Sequence, residues 1–70
     1  MIIDFSQGKI IVTPDEVQIR FEHATLYGMA EDIKFKKDVL IMYADAGAVR
    51  WSMTLDSVEQ LLQIKDTLMI

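Results

Sequence analysis

Seventy residues make one domain, residues 1–70, and a chain of this size buries only about 60% of its unfolded surface, so it needs a staple or a partner. The absence of cysteine excludes a disulfide, and one histidine argues against a structural zinc site, which leaves oligomerisation as the expected aid. Seven Lys and Arg against eleven Asp and Glu give a net charge of −4, an unfavourable balance for a protein whose main partner is nucleic acid.

Hydropathy agrees with a covered surface. Hydrophobic residues make up 51% of the chain and the mean hydropathy is +0.22, high for 8.0 kDa of soluble protein. The start, Met1-Ile2-Ile3-Asp4, has no basic region ahead of a long apolar run, so no signal peptide is expected. No apolar run approaches the roughly 20 residues of a membrane span. The expectation is a cytoplasmic protein with no membrane association.

Strand and turn signals alternate from the first residues. Ile2–Phe5, Lys9–Thr13 and Glu16–Glu22 read as strands, separated by Ser6-Gln7-Gly8 and by Pro14-Asp15. Val17, Ile19 and Phe21 alternate with Gln18, Arg20 and Glu22, the period of a strand with one buried face. Pro14 suits the first central position of a two-residue turn, and Gly8 suits the left-handed position of a three-residue loop. These loops predict Asp4 opposite Ile10, Ile2 opposite Val12, Val12 opposite Val17 and Ile10 opposite Ile19. Ile2 then joins Ile10, Val12, Val17, Ile19 and Phe21 on one apolar face, leaving Ile3, Phe5 and Ile11 on the other.

Residues 23–37 carry two patterns. Leu26, Met29, Ala30 and Ile33 fit a helical stripe, but Gly28 in its middle costs about 1 kcal/mol. A short strand or loop at 24–28, an acidic turn at Glu31-Asp32 and a strand at 33–36 is the favoured reading. Val39–Ala44 and Ala48–Thr54 then form a hairpin around Asp45-Ala46-Gly47. That loop sets Tyr43 against Val49, Ile41 against Trp51 and Val39 against Met53, with Leu40, Met42, Arg50 and Ser52 on the opposite face. Tyr43 and Trp51 thereby read as core anchors.

Leu55 to Ile70 reads as a helix, capped by Thr54 or by Asp56 with Glu59 at capping-box spacing. At about 100° per residue, Ile64, Leu68, Leu61, Val58, Met69, Leu62 and Leu55 sweep half its circumference. A surface helix usually shows a stripe nearer 100° wide. The excess points to a symmetric homodimer through Leu61, Ile64 and Leu68, together with Ile3, Phe5, Ile11, Leu40 and Met42 on the second sheet face.

Other side chains carry less. Lys65 lies near the centre of the apolar arc, where its methylenes can cross apolar surface while its head reaches water. His23, beside Glu22, has no nucleophile at a recognisable spacing and reads as a loop residue. Asp15-Glu16 and Glu31-Asp32 lack the alternating oxygen ligands of a calcium loop. The one basic cluster, Lys34, Lys36 and Lys37, would share a face with Arg20 and Arg50, with Phe5 and Met42 for apolar contact. That face is the alternative reading, a small nucleic-acid-binding module.

The stretch Phe5-Ser6-Gln7-Gly8-Lys9-Ile10-Ile11-Val12-Thr13-Pro14, with the order of strands and closing helix, resembles a small bacterial family of uncharacterised domains. The resemblance covers most of the chain and implies no activity and no site residues. In outline, the strands and C-terminal helix also look like the dimeric single-stranded-DNA-binding coactivator fold, without its basic N-terminal region. The sequence therefore predicts an α+β domain, a five- or six-stranded antiparallel meander followed by one C-terminal helix packed on the sheet. The expected role is a non-enzymatic protein-interaction or regulatory module acting as a homodimer, with no catalytic, metal or cofactor-binding residues and no cofactor.

Overall fold

A computed structural model describes all 70 residues. Its strands are β1 (Ile2–Phe5), β2 (Gly8–Val12), β3 (Glu16–Arg20), β4 (Thr25–Met29), β5 (Ile33–Lys36), β6 (Ile41–Ala46) and β7 (Val49–Thr54), followed by helix α1 (Val58–Leu68). The fold is α+β and antiparallel throughout, with seven strands where five or six were expected. They divide into two sheets, β1-β2-β3-β4 and β5-β6-β7. The division falls at a 3-10 turn over Ala30–Asp32, where the Glu31-Asp32 pair turns the chain away from β4. Ile33 then opens the second sheet as the expected strand.

The turn at Pro14-Asp15 has the length its sequence specifies. Thr13 N–H donates to the Glu16 carbonyl at 3.0 Å. The Thr13 hydroxyl accepts from the Asp15 and Glu16 amides at 3.3 and 3.2 Å, closing the turn a second time. Val12 faces Val17 and Ile10 faces Ile19, as predicted.

The two glycine-containing hairpins depart from expectation, and each departure turns side chains over. Between β1 and β2 the loop is Ser6-Gln7 alone, and Gly8 is a strand residue opposite Phe5. Asp4 therefore faces Lys9 and Ile2 faces Ile11. Gly8 is required for close approach: at φ +149°, a Cβ there would lie 1.9 Å from the Arg20 carbonyl oxygen. The one-residue change puts Ile3 and Phe5 inside and Ile2 outside.

Between β6 and β7 the turn is Gly47-Ala48, with Asp45 facing Arg50 and Ala46 facing Val49. Asp45 Oδ1 accepts from the Gly47 amide at 3.3 Å, and Gly47 takes φ +77°. Tyr43 consequently faces Ser52, three residues beyond the expected Val49. Met42, Ala44 and Met53 are buried, while Ile41 and Tyr43 lie on the outer side. The β6 strand begins at Ile41, later than expected, because Lys37–Val39 forms a 3-10 turn and Leu40 adopts a left-handed conformation at φ 56°.

Both inner faces feed one core of 14 buried residues. The four-stranded sheet gives Ile3, Phe5, Ile10, Val12, Val17 and Ile19; the three-stranded sheet gives Ile33, Met42, Ala44 and Met53. Leu55, Leu61, Ile64 and Leu68 complete it from the C-terminal segment. At roughly 1.5–3 kcal/mol per fully buried aliphatic side chain, the three core residues of α1 outweigh its intrinsic propensity as the reason it forms.

The helix begins two residues after Asp56, because its cap is Ser57. Ser57 Oγ accepts from the Gln60 amide at 3.2 Å. Gln60 Oε1 in turn accepts from the Asp56 amide at 3.0 Å. Ser57-Val58-Glu59-Gln60 has the Ser-x-x-Gln spacing of a capping box, shifted one residue from the expected Asp56. No helix is long and apolar enough to cross a membrane.

Candidate functional site

Most of the residues expected at a dimer interface fall inside a single chain. Leu61, Ile64, Leu68, Ile3, Phe5 and Met42 are all buried in the core. Ile11 and Leu40 are half-buried. The helix packs against β2, and the two sheets and the helix close one core around these side chains. Of the broad apolar arc on α1, Val58, Leu62 and Met69 stay exposed and Lys65 is half-buried.

Apolar side chains are also exposed on the outer face of the four-stranded sheet, where the register lines them up. Register places Ile2, Ile11, Gln18 and Tyr27 in one rank across all four strands. Ile2 is 64% exposed, Tyr27 60% and neighbouring Met29 49%. Gln18 Nε2 donates to Tyr27 Oη at 3.3 Å, so even the polar member of the rank lies along the ring. On one side of this rank stand Asp4, Lys9, Arg20 and Thr25, and on the other stand Glu16 and Met29. Glu16 and Arg20 flank Gln18 at two residues either way on β3.

Tyr27 and Met29 point outward because Gly28 points inward. A Cβ on Gly28 would lie 2.6 Å from Ile33 Cδ1 and 3.1 Å from Trp51 Cζ2. Sheet meets sheet at this glycine. Trp51 Nε1 donates to the Tyr27 carbonyl at 2.9 Å and ties β7 to the free edge of β4. The sequence signal was available in the alternation Leu26-Tyr27-Gly28-Met29, with the smallest residue at an inward position.

The outer face of the three-stranded sheet has a different chemistry. Lys34 faces Tyr43 and Lys36 faces Ile41 across β5 and β6; Tyr43 faces Ser52 and Asp45 faces Arg50 across β6 and β7. Lys36, Ile41, Tyr43, Asp45, Arg50 and Ser52 border a shallow hollow of about 510 Å³, and Lys34 stands on the same face outside its rim. Lys36 Nζ sits 5.8 Å from the centroid of the Tyr43 ring. Arg50 Nε lies 3.2 Å from Asp45 Oδ1 and donates to the Gly47 carbonyl at 3.2 Å.

Lys34, Lys36 and Arg50 thus share the outer face of the three-stranded sheet. Arg20 does not join them, since it stands on the other sheet, and Lys37 sits in the 3-10 turn after β5. Phe5 and Met42, expected to supply apolar contact there, are core residues, with Phe5 packed edge-on against Phe21 at 6.2 Å. Tyr43, expected in the core, takes their place.

His23 is exposed in the β3–β4 loop, 3.7 Å from Glu22. No three His, Cys, Asp or Glu side chains converge as a metal site would need. Ser6 donates its hydroxyl and its amide to the Asp56 carboxylate at 2.6 and 2.8 Å, which lowers the Asp56 pKa from its ordinary value.

No curated protein and no solved structure matches this chain. One family does, over its full length: residues 1–70 match the family described as "Protein of unknown function (DUF3389)", and the chain belongs to it.

Proposed function

We propose that this protein is a non-enzymatic interaction module that works as a homodimer, its copies meeting through the outer face of the four-stranded sheet. The observation that carries this reading is the solvent-facing rank Ile2, Ile11, Gln18 and Tyr27, apolar at three positions of four. A second copy fits this face better than an unrelated partner because the face is complementary to itself. A two-fold axis running along the rank stacks it on its own image. The same axis carries Arg20 of each copy over Glu16 of the other, since both lie two residues from Gln18. An isologous interface makes that pair twice. Packed sheet faces stand about 10 Å apart, within reach of an Arg–Glu pair.

Sedimentation velocity or native mass spectrometry tests the reading. The wild-type chain should weigh as a dimer, and Tyr27→Asp should weigh as a monomer with an unchanged circular-dichroism spectrum. Arg20→Glu should weaken the dimer and Arg20→Glu with Glu16→Arg should restore it, because each copy then presents the reversed pair. A wild-type monomer at every concentration overturns the proposal, as does a dimer indifferent to all of these changes.

A further inference from the structure

The geometry points to a binding site for single-stranded nucleic acid in the hollow on the outer face of the three-stranded sheet, with one base on the Tyr43 ring and the flanking phosphates on Lys34 and Lys36. Aromatic side chains on an open sheet, bordered by cations, are the general means of holding unstacked bases, since every base has a π-face. Tyr43 is the aromatic side chain at the middle of this face, between Lys34 on β5 and Ser52 on β7. Lys34 and Lys36 are two residues apart on one strand, so their stems are about 7 Å apart, near the repeat of an extended polynucleotide backbone.

Arg50 closes the opposite flank. Its Nε is occupied by Asp45 and the Gly47 carbonyl, which fixes the guanidinium while leaving its terminal amino groups free to donate. Asp45 is the one carboxylate lining the hollow. Three cations against one carboxylate leave +2 on this face, and therefore −6 on the rest of a chain of net charge −4. Charge is segregated, and the segregation explains how an acidic protein holds a polyanion at one place. It also keeps the strand from spreading over the remaining surface.

A single strand is favoured over a duplex because the ring can only meet a base that has left its stack. The site lies on the opposite sheet from the proposed dimer face, so the two readings fail independently.

Fluorescence anisotropy with labelled oligothymidylate and oligouridylate tests the site on the full chain. Binding should appear at low salt and fall steeply as salt rises, with a slope set by the phosphates neutralised. Tyr43→Ala should weaken it by about tenfold, and Tyr43→Phe should restore it, since the ring and not the hydroxyl does the stacking. Lys34→Glu with Lys36→Glu should abolish binding, while Lys65→Glu, on the helix, should leave it unchanged. Three results overturn the inference: no binding at low salt, equal loss in the Lys65→Glu control, or displacement by polyglutamate as readily as by unlabelled oligonucleotide. A free mononucleotide that binds as tightly as the oligomer would overturn the strand as ligand.

Discussion

The two sheets share a core but are built differently on both sides of it. The four-stranded sheet fills its inner face with Ile3, Phe5, Ile10, Val12, Val17 and Ile19, mostly β-branched side chains with few rotamers. The three-stranded sheet contributes Ile33, Ala44 and two methionines, a smaller and more adaptable set. Outside, the order reverses: the stiffer sheet shows an apolar rank to solvent, and the softer one shows a ring among paired and unpaired charges. The stiff packing inside the four-stranded sheet supports the apolar rank on its outer face, the surface proposed to pair with a second copy. The thinner sheet is held in place by its neighbour, so its outer face is only as well formed as the joints between the two.

The largest effect is expected where the stiff sheet tolerates no side chain at all. Gly8→Ala drives a methyl into the Arg20 carbonyl of the third strand, a backbone atom that cannot step aside. The loss should be roughly 3 kcal/mol or more, read as a fall in the urea midpoint. Gly47 is the matched control in the other sheet. A Cβ there meets nothing within 4 Å, so Gly47→Ala should cost only the left-handed backbone strain, about 1 kcal/mol. Equal losses at the two glycines would remove the contrast between the sheets.

The next effect probes the joint. Gly28→Ala brings a methyl against Ile33 Cδ1 and Trp51 Cζ2, both side-chain atoms of the three-stranded sheet, and should cost about 2 kcal/mol with a change in Trp51 fluorescence. Ile33→Val removes the closest of those atoms. In the Gly28→Ala background it should recover stability, whereas alone it should lose about 1 kcal/mol. Additive losses would mean that the sheets are not joined at Gly28.

Much of this arrangement was legible in the chain, and where it was not the reason is local. Pro14 admits one φ and announced its turn, so the pairing of β2 with β3 followed correctly. Gly8 and Gly47 admit many conformations, and a glycine near a loop is equally consistent with a left-handed turn residue or with a strand residue pressed against another backbone. Gly8 is the second kind, and Ser6-Gln7 carried no competing signal. One residue of error there exchanged Ile2 for Ile3 and Phe5, and with them the apparent interface. The same ambiguity in the β6–β7 turn hid Tyr43 in a supposed core. Of Arg20, Lys34, Lys36, Lys37 and Arg50, Lys34 and Lys36 share a face whatever the register because they alternate on one strand, and the β6–β7 register brings Arg50 to it. Leu61, Ile64 and Leu68 form one surface, as their spacing predicts, but it is buried within the chain, in the core the helix shares with the two sheets.

The smallest expected effect lies at the other link between the sheets. Asp56 follows β7, yet its carboxylate is held by Ser6 in the β1–β2 turn, 50 residues earlier. Both bonds favour the ionised form and lower its pKa from the ordinary value of 3.8. A depressed folded-state value means that the link contributes stability above pH 3.8 and loses it as pH falls through the folded value. Asp56→Asn keeps an oxygen to accept from Ser6 but removes the charge, so wild type should exceed the variant at neutral pH and converge with it in acid. Because the group is fully exposed, water weakens the bond and the gap should be narrow. Urea midpoints of the two proteins, followed from neutral pH into acid, measure it. A constant gap across that range would assign the effect to packing at the turn and leave Gly28 as the principal joint between the sheets.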